Sequence, residues 1–400
     1  MRKKRRLAYL VSHPIQYQAP LLRLINAEPD IDLTVFFCSD LSVREYRDEG
    51  FGQALQWDVP LLDGYRHEFL PAFGGTDRLL FWRPLNRGLA RRLGAGNFDA
   101  LWIHGWGYWS HLQAVSSARR RGIKVLMRGE SGQHLRTPGW ARQQLKRVLM
   151  RHLVANVDAF LTIGEHNRKF YLHHGAEPAR LFPVPYCVDN AFFQEKAANA
   201  APGREPLRTA LGLEPGRPVI LYASKMIGRK RPRDLLEAYA RLSPDGRREP
   251  HPYMLFVGDG GMRPELEARA AQLGWNSIRF LGFKNQTELP AYYDLCDVFV
   301  LPSEQEPWGL VINEVMNAAR AVIVSDEVGC APDLVKSDIN GQVFRAGDIG
   351  GLLAAVTTVL DDPGKARVMG QRSLEIINRW SFREDIAGLR GALETVVGKS

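Results

Sequence analysis

The stretch DVFVLPSEQEPWGLVINEVMNAAR, residues 297–320, runs through a strand, a turn and a helix in immediate succession. Val298 to Leu301 form an unbroken apolar run that stops at Pro302, as a strand covered on both faces does. A loop carrying Glu304 and Glu306 follows, and a helix begins around Gly309. A strand that needs cover on both faces, followed at once by a helix, is the repeating unit of a parallel α/β sheet.

The same unit recurs along the chain. RLAYLVS, DLTVFFC, DALWIH, KVLMR and DAFLTIG read as strands in the first half, and PVILYAS, YMLFVG, SIRFLG and AVIVSD in the second. RPRDLLEAYARL and RPELEARAAQLG supply helices between them. The alternation breaks once, at KAANAAPGREPLR (196–208), whose Ala, Gly, Pro and charge predict an interdomain linker. The expected fold class is α/β, with two doubly wound Rossmann-like domains joined at that linker. Residues 39–93, rich in Arg, Gly and aromatics, show no clear period.

Of the 400 residues 45% are hydrophobic and 24% charged, an ordinary globular balance that allows two sizeable cores. The four cysteines stand far apart with no CxxC pair and no nearby His cluster. That argues against a disulfide framework or a zinc site and for a reducing cytoplasm. MRKKRRLAYLVSHP begins like a signal peptide, but its apolar run ends at Ser12-His13-Pro14, too short for one. No membrane-spanning run is expected either. A net charge of +9 points to an anionic partner, whether nucleic acid, an anionic lipid surface or a phosphate-bearing substrate.

Ligands of parallel sheets collect beyond the carboxyl ends of the strands, so chemistry is sought at strand-to-helix turns. In the 297–320 stretch the amides of Gly309, Leu310 and Val311 open a helix and attract phosphate oxygens. Gly309, without a Cβ, lets a ligand come close to the backbone. Glu314, in the second turn of that helix, can accept hydrogen bonds from vicinal hydroxyls such as a ribose diol. Glu306 precedes the helix, where a second polyol could lie. Either glutamate alone reads best as a solvated charge or a helix-dipole partner; together, around Pro307-Trp308-Gly309, they favour a site. In LYASKMIGRKRPRDLLEAYA, Lys225 and Lys230 follow a strand and can neutralise a diphosphate. A solvated basic loop is the alternative, since Arg229, Arg231 and Arg233 crowd the same segment. VGDGGM, Val257 to Met262, is a common type of glycine-rich turn in which Gly258 would let backbone meet a base or phosphate.

The order Lys225…Lys230, VGDG, FLGF and EPWGLVINE resembles the retaining family-4 glycosyltransferases of GT-B fold, over most of Pro218 to Trp380. The spacing of Glu306 and Glu314 is the signature. The resemblance implies two Rossmann-like domains facing each other across a cleft. Residues 1–195 would form the acceptor-binding domain, 196–208 the linker and 209–380 the nucleotide-sugar-binding domain, with a C-terminal helix at 381–400 able to cross back. It further implies that Lys225 and Lys230 grip the donor diphosphate and that Glu306 holds hydroxyls of the donor sugar. Glu314 would bind the ribose, Gly309 to Val311 the phosphate, and the Gly282-Phe283 turn the nucleobase. The chain departs from the family in having Lys225 where Arg is frequent and Trp308 where Phe is common. It also lacks the glycine pair that many members carry after the first strand.

On that resemblance the first half binds the acceptor. SHPIQYQAP follows the first strand and brings forward Ser12, His13 and Gln16. LWIHGWGYWSHL (101–112) puts His104 at a strand's carboxyl end, resembling a histidine that lies beside the reacting sugar. Trp106 and Tyr108 offer aromatic faces suited to sugar C–H groups or a lipid tail, while Trp102 and Trp109 read equally as core. LMRGESGQH (126–134) adds Arg128 and Glu130 as substrate contacts, with a buried structural ion pair as the alternative. WARQQLKRVLMRHLVANV (140–157) reads as an amphipathic helix with Leu145, Val148, Leu149 and Leu153 on one stripe. With Arg142, Lys146, Arg147 and Arg151 mostly off that stripe, it is either a dock for anionic lipid or a solvated scaffold face.

The resulting expectation is a transferase that moves a hexose-type sugar from a nucleotide diphosphate to a hydroxyl acceptor with retention, in cell-surface glycan or glycoconjugate synthesis. UDP is the carrier favoured by family frequency, and a glycan, a lipid-linked acceptor or a small molecule would receive the sugar. Lys225, Lys230 and the helix amides would stabilise the departing diphosphate, so neither a metal nor a further cofactor is expected. Asp30-Ile31-Asp32 is an Asp-x-Asp pattern at a strand's start, the wrong end for a site. A cytoplasmic protein, peripheral at the inner face of the membrane, fits these features. An epimerase or phosphorylase of the same fold is the nearest alternative. A nucleic-acid-binding protein is more remote, because no recognition module is present.

Overall fold

The unbroken apolar runs pair in parallel with one another, and they do so in two separate open sheets. The computed structural model describes residues 4–76, 78–136, 139–243 and 249–398; the first three residues of the basic N-terminal tip lie outside them. The first sheet runs Leu181–Pro183, Ala159–Thr162, Lys124–Arg128, Ala100–His104, Arg5–Val11, Ile31–Phe37, His67–Phe69. The second runs Ile278–Phe280, Tyr253–Val257, Val219–Ala223, Val298–Leu301, Ala321–Ser325, Gly341–Phe344. Each sheet begins at an inner strand, adds neighbours to one side, then crosses back and builds on the other. That is doubly wound order, and each half is a Rossmann-like domain as expected.

The expected strands are present because every residue of runs such as Val298–Leu301 and Val219–Ala223 is buried between helices. The added edge strands, His67–Phe69, Leu181–Pro183 and Gly341–Phe344, are short and only partly buried, and carry little periodic signal. Gly341 sits where an added Cβ would lie 1.7 Å from the Val322 carbonyl oxygen, so that edge pairs only because the side chain is missing.

Two compact units divide the chain. One takes the chain up to Tyr46, Leu55–Tyr186 and everything from Phe382 onward; the other takes Arg47–Ala54 and Cys187–Ser381. The predicted linker at 196–208 is corrected by this division. Those residues continue the helix Asn190–Ala200, pass through a turn at Ala201–Gly203 and enter the helix Arg204–Ala210, all within the second unit. Asp189 caps the first of these helices by accepting from Phe192 N at 3.1 Å. Phe193 and Ala197 are buried, and Arg204 Nε donates to Asp294 Oδ2 at 2.8 Å. An alanine-rich segment with one Pro-Gly break has the composition of a linker and equally the propensity of a helix; burial decides it.

The helix Phe382–Val397 lies in the first unit. It buries Leu389, Ala392 and Leu393, and Gly388 allows close approach, since its Cβ would stand 1.8 Å from the Pro183 carbonyl. Asp385 of this helix accepts from Arg128 Nη2 at 3.1 Å with both side chains buried. Removing one member of such a pair strands a charge in low dielectric. Asp385→Ala should therefore cost about 3–5 kcal/mol in denaturant unfolding, and Arg128→Met with Asp385→Leu should recover most of it. Equal stability of Asp385→Ala and wild type would contradict the pairing.

Candidate active site

The strands Val219–Ala223 and Val298–Leu301 are neighbours at the point where the second sheet reverses direction. The turns that follow them, and the turn after Ala321–Ser325, are tied together. Glu304 N donates to Arg229 O at 2.8 Å, Glu306 N to Glu327 O at 3.0 Å and Gly329 N to Glu306 O at 2.9 Å. Two glycines make that close packing possible. A Cβ on Gly329 would stand 2.0 Å from the Pro307 carbonyl oxygen, and Gly309 has a φ of 92° that disfavours other residues.

Held this way, Glu306 is 7% exposed and points Oε2 at two cations. Arg229 Nη1 donates to it at 2.9 Å, and Lys230 Nζ donates to the same oxygen. Burial pulls the Lys230 ammonium below its ordinary pKa, and the Glu306 carboxylate opposes that. Glu314 is 2% exposed and accepts a 2.5 Å hydrogen bond from the Tyr293 hydroxyl. Neither glutamate is a solvated surface charge. The helix starts at Leu310, with Gly309 as its N-cap, so the opening helical amides belong to Leu310 and Val311, one position later than expected. Trp308 is buried, stacks on Trp380 at 5.6 Å and donates from Nε1 to Asn313 Oδ1 at 3.0 Å, which braces the turn.

Lys225 Nζ rests between the two oxygens of Asp48, at 2.8 and 2.9 Å. Gly258, at φ 119°, donates from its amide to Gly282 O at 2.8 Å, joining the VGDG and GF turns. Phe283 is half-buried, with its ring 5.0 Å from Phe51. The structure thus brings Glu306 together with Lys230, and Gly258 with Gly282-Phe283. Arg229 was visible in the sequence only as part of a crowded basic loop. Asp48 gave no signal, because its partner Lys225 is 177 residues away.

The first unit has its own reversal point, between Arg5–Val11 and Ala100–His104. His13 follows the first strand, with Nδ1 2.9 Å from Ser12 Oγ. Burial pushes its pKa down to about 4. His104 ends the second strand, and its buried Nδ1 has no hydrogen-bond partner among the described residues. Burial first, then the nearby Arg128, push its pKa down to about 3. Tyr108 is half-buried with its ring 5.1 Å from His111, and Trp106 Nε1 donates to Ser131 Oγ at 2.9 Å. Gln16 is half-buried after the first strand, and Glu130 is exposed, accepting from the Tyr186 hydroxyl at 2.7 Å.

Arg128 departs from expectation. It is fully buried and donates to Pro185 O at 2.7 Å as well as to Asp385, with its guanidinium over the Tyr186 ring. A side chain enclosed in this way is the structural ion pair, and it is not presented to an acceptor. Trp102 is core, packed edge-on against Tyr9 at 4.7 Å. Asp30 pairs with Arg5 and Arg390, and Asp32 with Arg6 and Arg66.

Two doubly wound domains, with charge-bearing turns at the second one's reversal point, match the GT-B fold. Comparison with known proteins gives the family. Residues 203–375 match the family described as Glycosyl transferases group 1, and residues 27–187 match the Glycosyl transferase 4-like domain. The chain belongs to these glycosyltransferases. It is 26% identical over 274 residues to a mannosyltransferase of Mycolicibacterium smegmatis, covering 66% of this chain and 69% of that one. That relative is named a GDP-mannose-dependent alpha-(1-6)-phosphatidylinositol monomannoside mannosyltransferase. It is 29% identical to the alpha-D-kanosaminyltransferase of Streptomyces kanamyceticus over 53% of this chain, spanning about half, 54%, of that relative. Among solved structures, HepE of Anabaena in complex with UDP and glucose is similar at a TM-score of 0.70 and 15% identity. That match covers 98% of this chain and 100% of HepE. Sucrose-phosphate synthase of Thermosynechococcus elongatus is similar at a TM-score of 0.71 and 19% identity, covering 98% of each chain.

The buried histidines make the first unit sensitive to acid. His111 is buried, and its pKa is pushed down to about 4 by burial, partly offset by its contact with the Gly105 carbonyl. Below its ordinary value of 6.5 the unfolded chain takes up a proton that the folded one refuses until about pH 4. Stability should therefore hold above pH 6.5 and fall as pH drops from 6.5 toward 4. His111→Asn should remove about one proton from the uptake on unfolding near pH 5, read from the pH slope of unfolding free energy. An unchanged slope would contradict the buried neutral imidazole.

Proposed function

We propose that this glycosyltransferase moves a hexose-type sugar from a nucleotide diphosphate, UDP being the favoured carrier, to a hydroxyl acceptor with retention, in building a cell-surface glycan or glycoconjugate. The observation that carries the proposal is the half-buried cluster of Glu306, Lys230 and Arg229 at the reversal point of the second sheet. Cations at that place suit an anionic diphosphate, and a carboxylate among them suits the hydroxyls of the attached sugar. HepE, of similar fold, has been crystallised with UDP and glucose, while the M. smegmatis relative is named for GDP-mannose. Carriers thus differ among similar proteins.

In this mechanism the bond between the anomeric carbon and the diphosphate oxygen breaks while the acceptor oxygen bonds to the same face. Lys225, Lys230 and the amides of Leu310 and Val311, with Gly309 as cap, stabilise the charge on the departing diphosphate. The acceptor proton passes to the leaving phosphate oxygen. The cations supply the countercharge, and the reaction needs no metal. Glu306 orients the donor sugar, Glu314 the ribose, and the Gly258 and Phe283 turns the base. His104, neutral by burial, hydrogen-bonds beside the reacting sugar. His13, Gln16, Glu130, Trp106 and Tyr108 contact the acceptor.

Glu306→Ala is expected to lower turnover about a hundredfold or more, measured as UDP release from UDP-sugar and acceptor with chelator present. Wild-type turnover in that variant would remove Glu306 from the site, and sugar-nucleotide conversion without acceptor would favour an epimerase.

We further propose that the protein works in the cytoplasm, peripheral to an anionic membrane face. Among the described residues no helix is long and apolar enough to cross a membrane. The helix Trp140–Ala155 leaves Trp140, Leu145 and Val148 exposed at 75%, 70% and 67%, next to Arg142, Arg147 and Arg151. The expected apolar stripe is thus split. Leu153 is buried, while Leu145 and Val148 face outward in a basic setting, as an interfacial helix does. Replacing Trp140, Leu145 and Val148 together by Ala should reduce cosedimentation with phosphatidylglycerol vesicles about tenfold or more. Unchanged binding would refute the dock.

A further inference from the structure

Residues 47–54 belong to the second unit, far from the rest of it in sequence. Three of them touch the features that the donor reading assigns to the nucleotide. Asp48 puts both carboxylate oxygens on Lys225 Nζ, at 2.8 and 2.9 Å. Its Oδ1 also accepts from Gly50 N at 2.8 Å and Phe51 N at 3.0 Å, which fixes the carboxylate. Phe51 lies under Lys225, with Nζ 4.9 Å from the ring centre, and meets the Phe283 ring edge-on at 5.0 Å. A Cβ on Gly50 would stand 2.6 Å from Lys225 Cδ, so a side chain there would displace the lysine. Gly260 of the VGDGGM turn is equally constrained, its Cβ falling 2.9 Å from Gly50 O.

One short segment therefore covers the diphosphate cation, the glycine turn and the base-side phenylalanine. We propose that it is a donor-displaced clasp, in which Asp48 holds the place of a donor phosphate on Lys225 and so sets the affinity for the nucleotide. This rests on Lys225 being a diphosphate ligand. A carboxylate and a phosphate oxygen compete for one ammonium, and they repel each other when both approach it. Binding then requires the carboxylate to leave, and the apparent affinity falls by the fraction of protein in which Lys225 is taken. The pair is only partly shielded, at 33% and 16% exposure, so an incoming diphosphate with two charged groups can displace it.

The test is calorimetric titration of the full chain with UDP, and separately with GDP. Asp48→Asn keeps an oxygen for the Gly50 and Phe51 amides but loses the charge, and it should bind the preferred nucleotide about three- to tenfold tighter than wild type. Asp48→Ala should shift in the same direction, and Lys225→Ala should bind more weakly. Unchanged or weaker binding by both Asp48 variants, with Lys225→Ala impaired, overturns the clasp and leaves the donor reading standing. Equal binding by Lys225→Ala and wild type, or no binding of either nucleotide to any variant, overturns the donor reading and the clasp with it.

Discussion

The turn cluster of the second unit depends on one ion pair, that of Glu306 with Lys230, reinforced by Arg229. A carboxylate with this little access to water is costly unless cations and hydrogen bonds surround it. The pairing in turn needs two turns to come together, and their backbones do so through Glu304 N to Arg229 O. The neighbouring turn at Val328–Gly329 packs against Pro307 only because Gly329 lacks a Cβ. The cluster is therefore specified cooperatively, and its rigidity follows from electrostatics as much as from packing.

Much of the architecture was legible because burial on both faces writes itself into sequence as unbroken apolar runs. Val298–Leu301 and Val219–Ala223 needed no tertiary information to be found. The failures have a common physical cause. The helical segment 190–210 looks like a linker until Phe193 and Ala197 are seen to be buried, and the edge strands are too short to show a period. Within the candidate site, Glu306 and Glu314 stood out by spacing, and Lys225 and Lys230 by their place after a strand. Of their partners, Arg229 appeared only as part of a basic loop, Tyr293 gave no signal, and Asp48 lies 177 residues from Lys225, a separation that leaves no local pattern. Arg128 takes the alternative reading, the buried ion pair. Its strand-end position is where ligands collect, but Asp385 near the far end of the chain neutralises it internally.

The ion pairs of the second unit also bear on how an anion enters it. Lys225 and Lys230 each already hold a carboxylate, so the site is not a reservoir of free positive charge. A diphosphate gains on binding only the difference between its own contacts and those it replaces. Under the proposed donor binding, a phosphate on Lys230 would replace Glu306, whose carboxylate would then turn toward hydroxyl groups. In that proposal, exchange of partners would couple loss of an internal ion pair to gain of a sugar contact. A ligand with phosphate but no sugar would break the pair without that compensation.

The two reversal points carry contrasting chemistry. At the second unit's point stand Lys225, Arg229 and Lys230; at the first unit's stand Ser12, His13, His104 and aromatic rings. Burial holds the His104 pKa at about 3, so its imidazole is uncharged near neutrality. An uncharged imidazole exchanges hydrogen bonds with a hydroxyl but gives no Coulombic attraction to a diphosphate. Had it been solvated, partial protonation would have made it a competing cation. Desolvation of this ring therefore keeps a competing cation away from the first unit's reversal point and leaves His104 Nδ1 able to exchange a hydrogen bond with a hydroxyl.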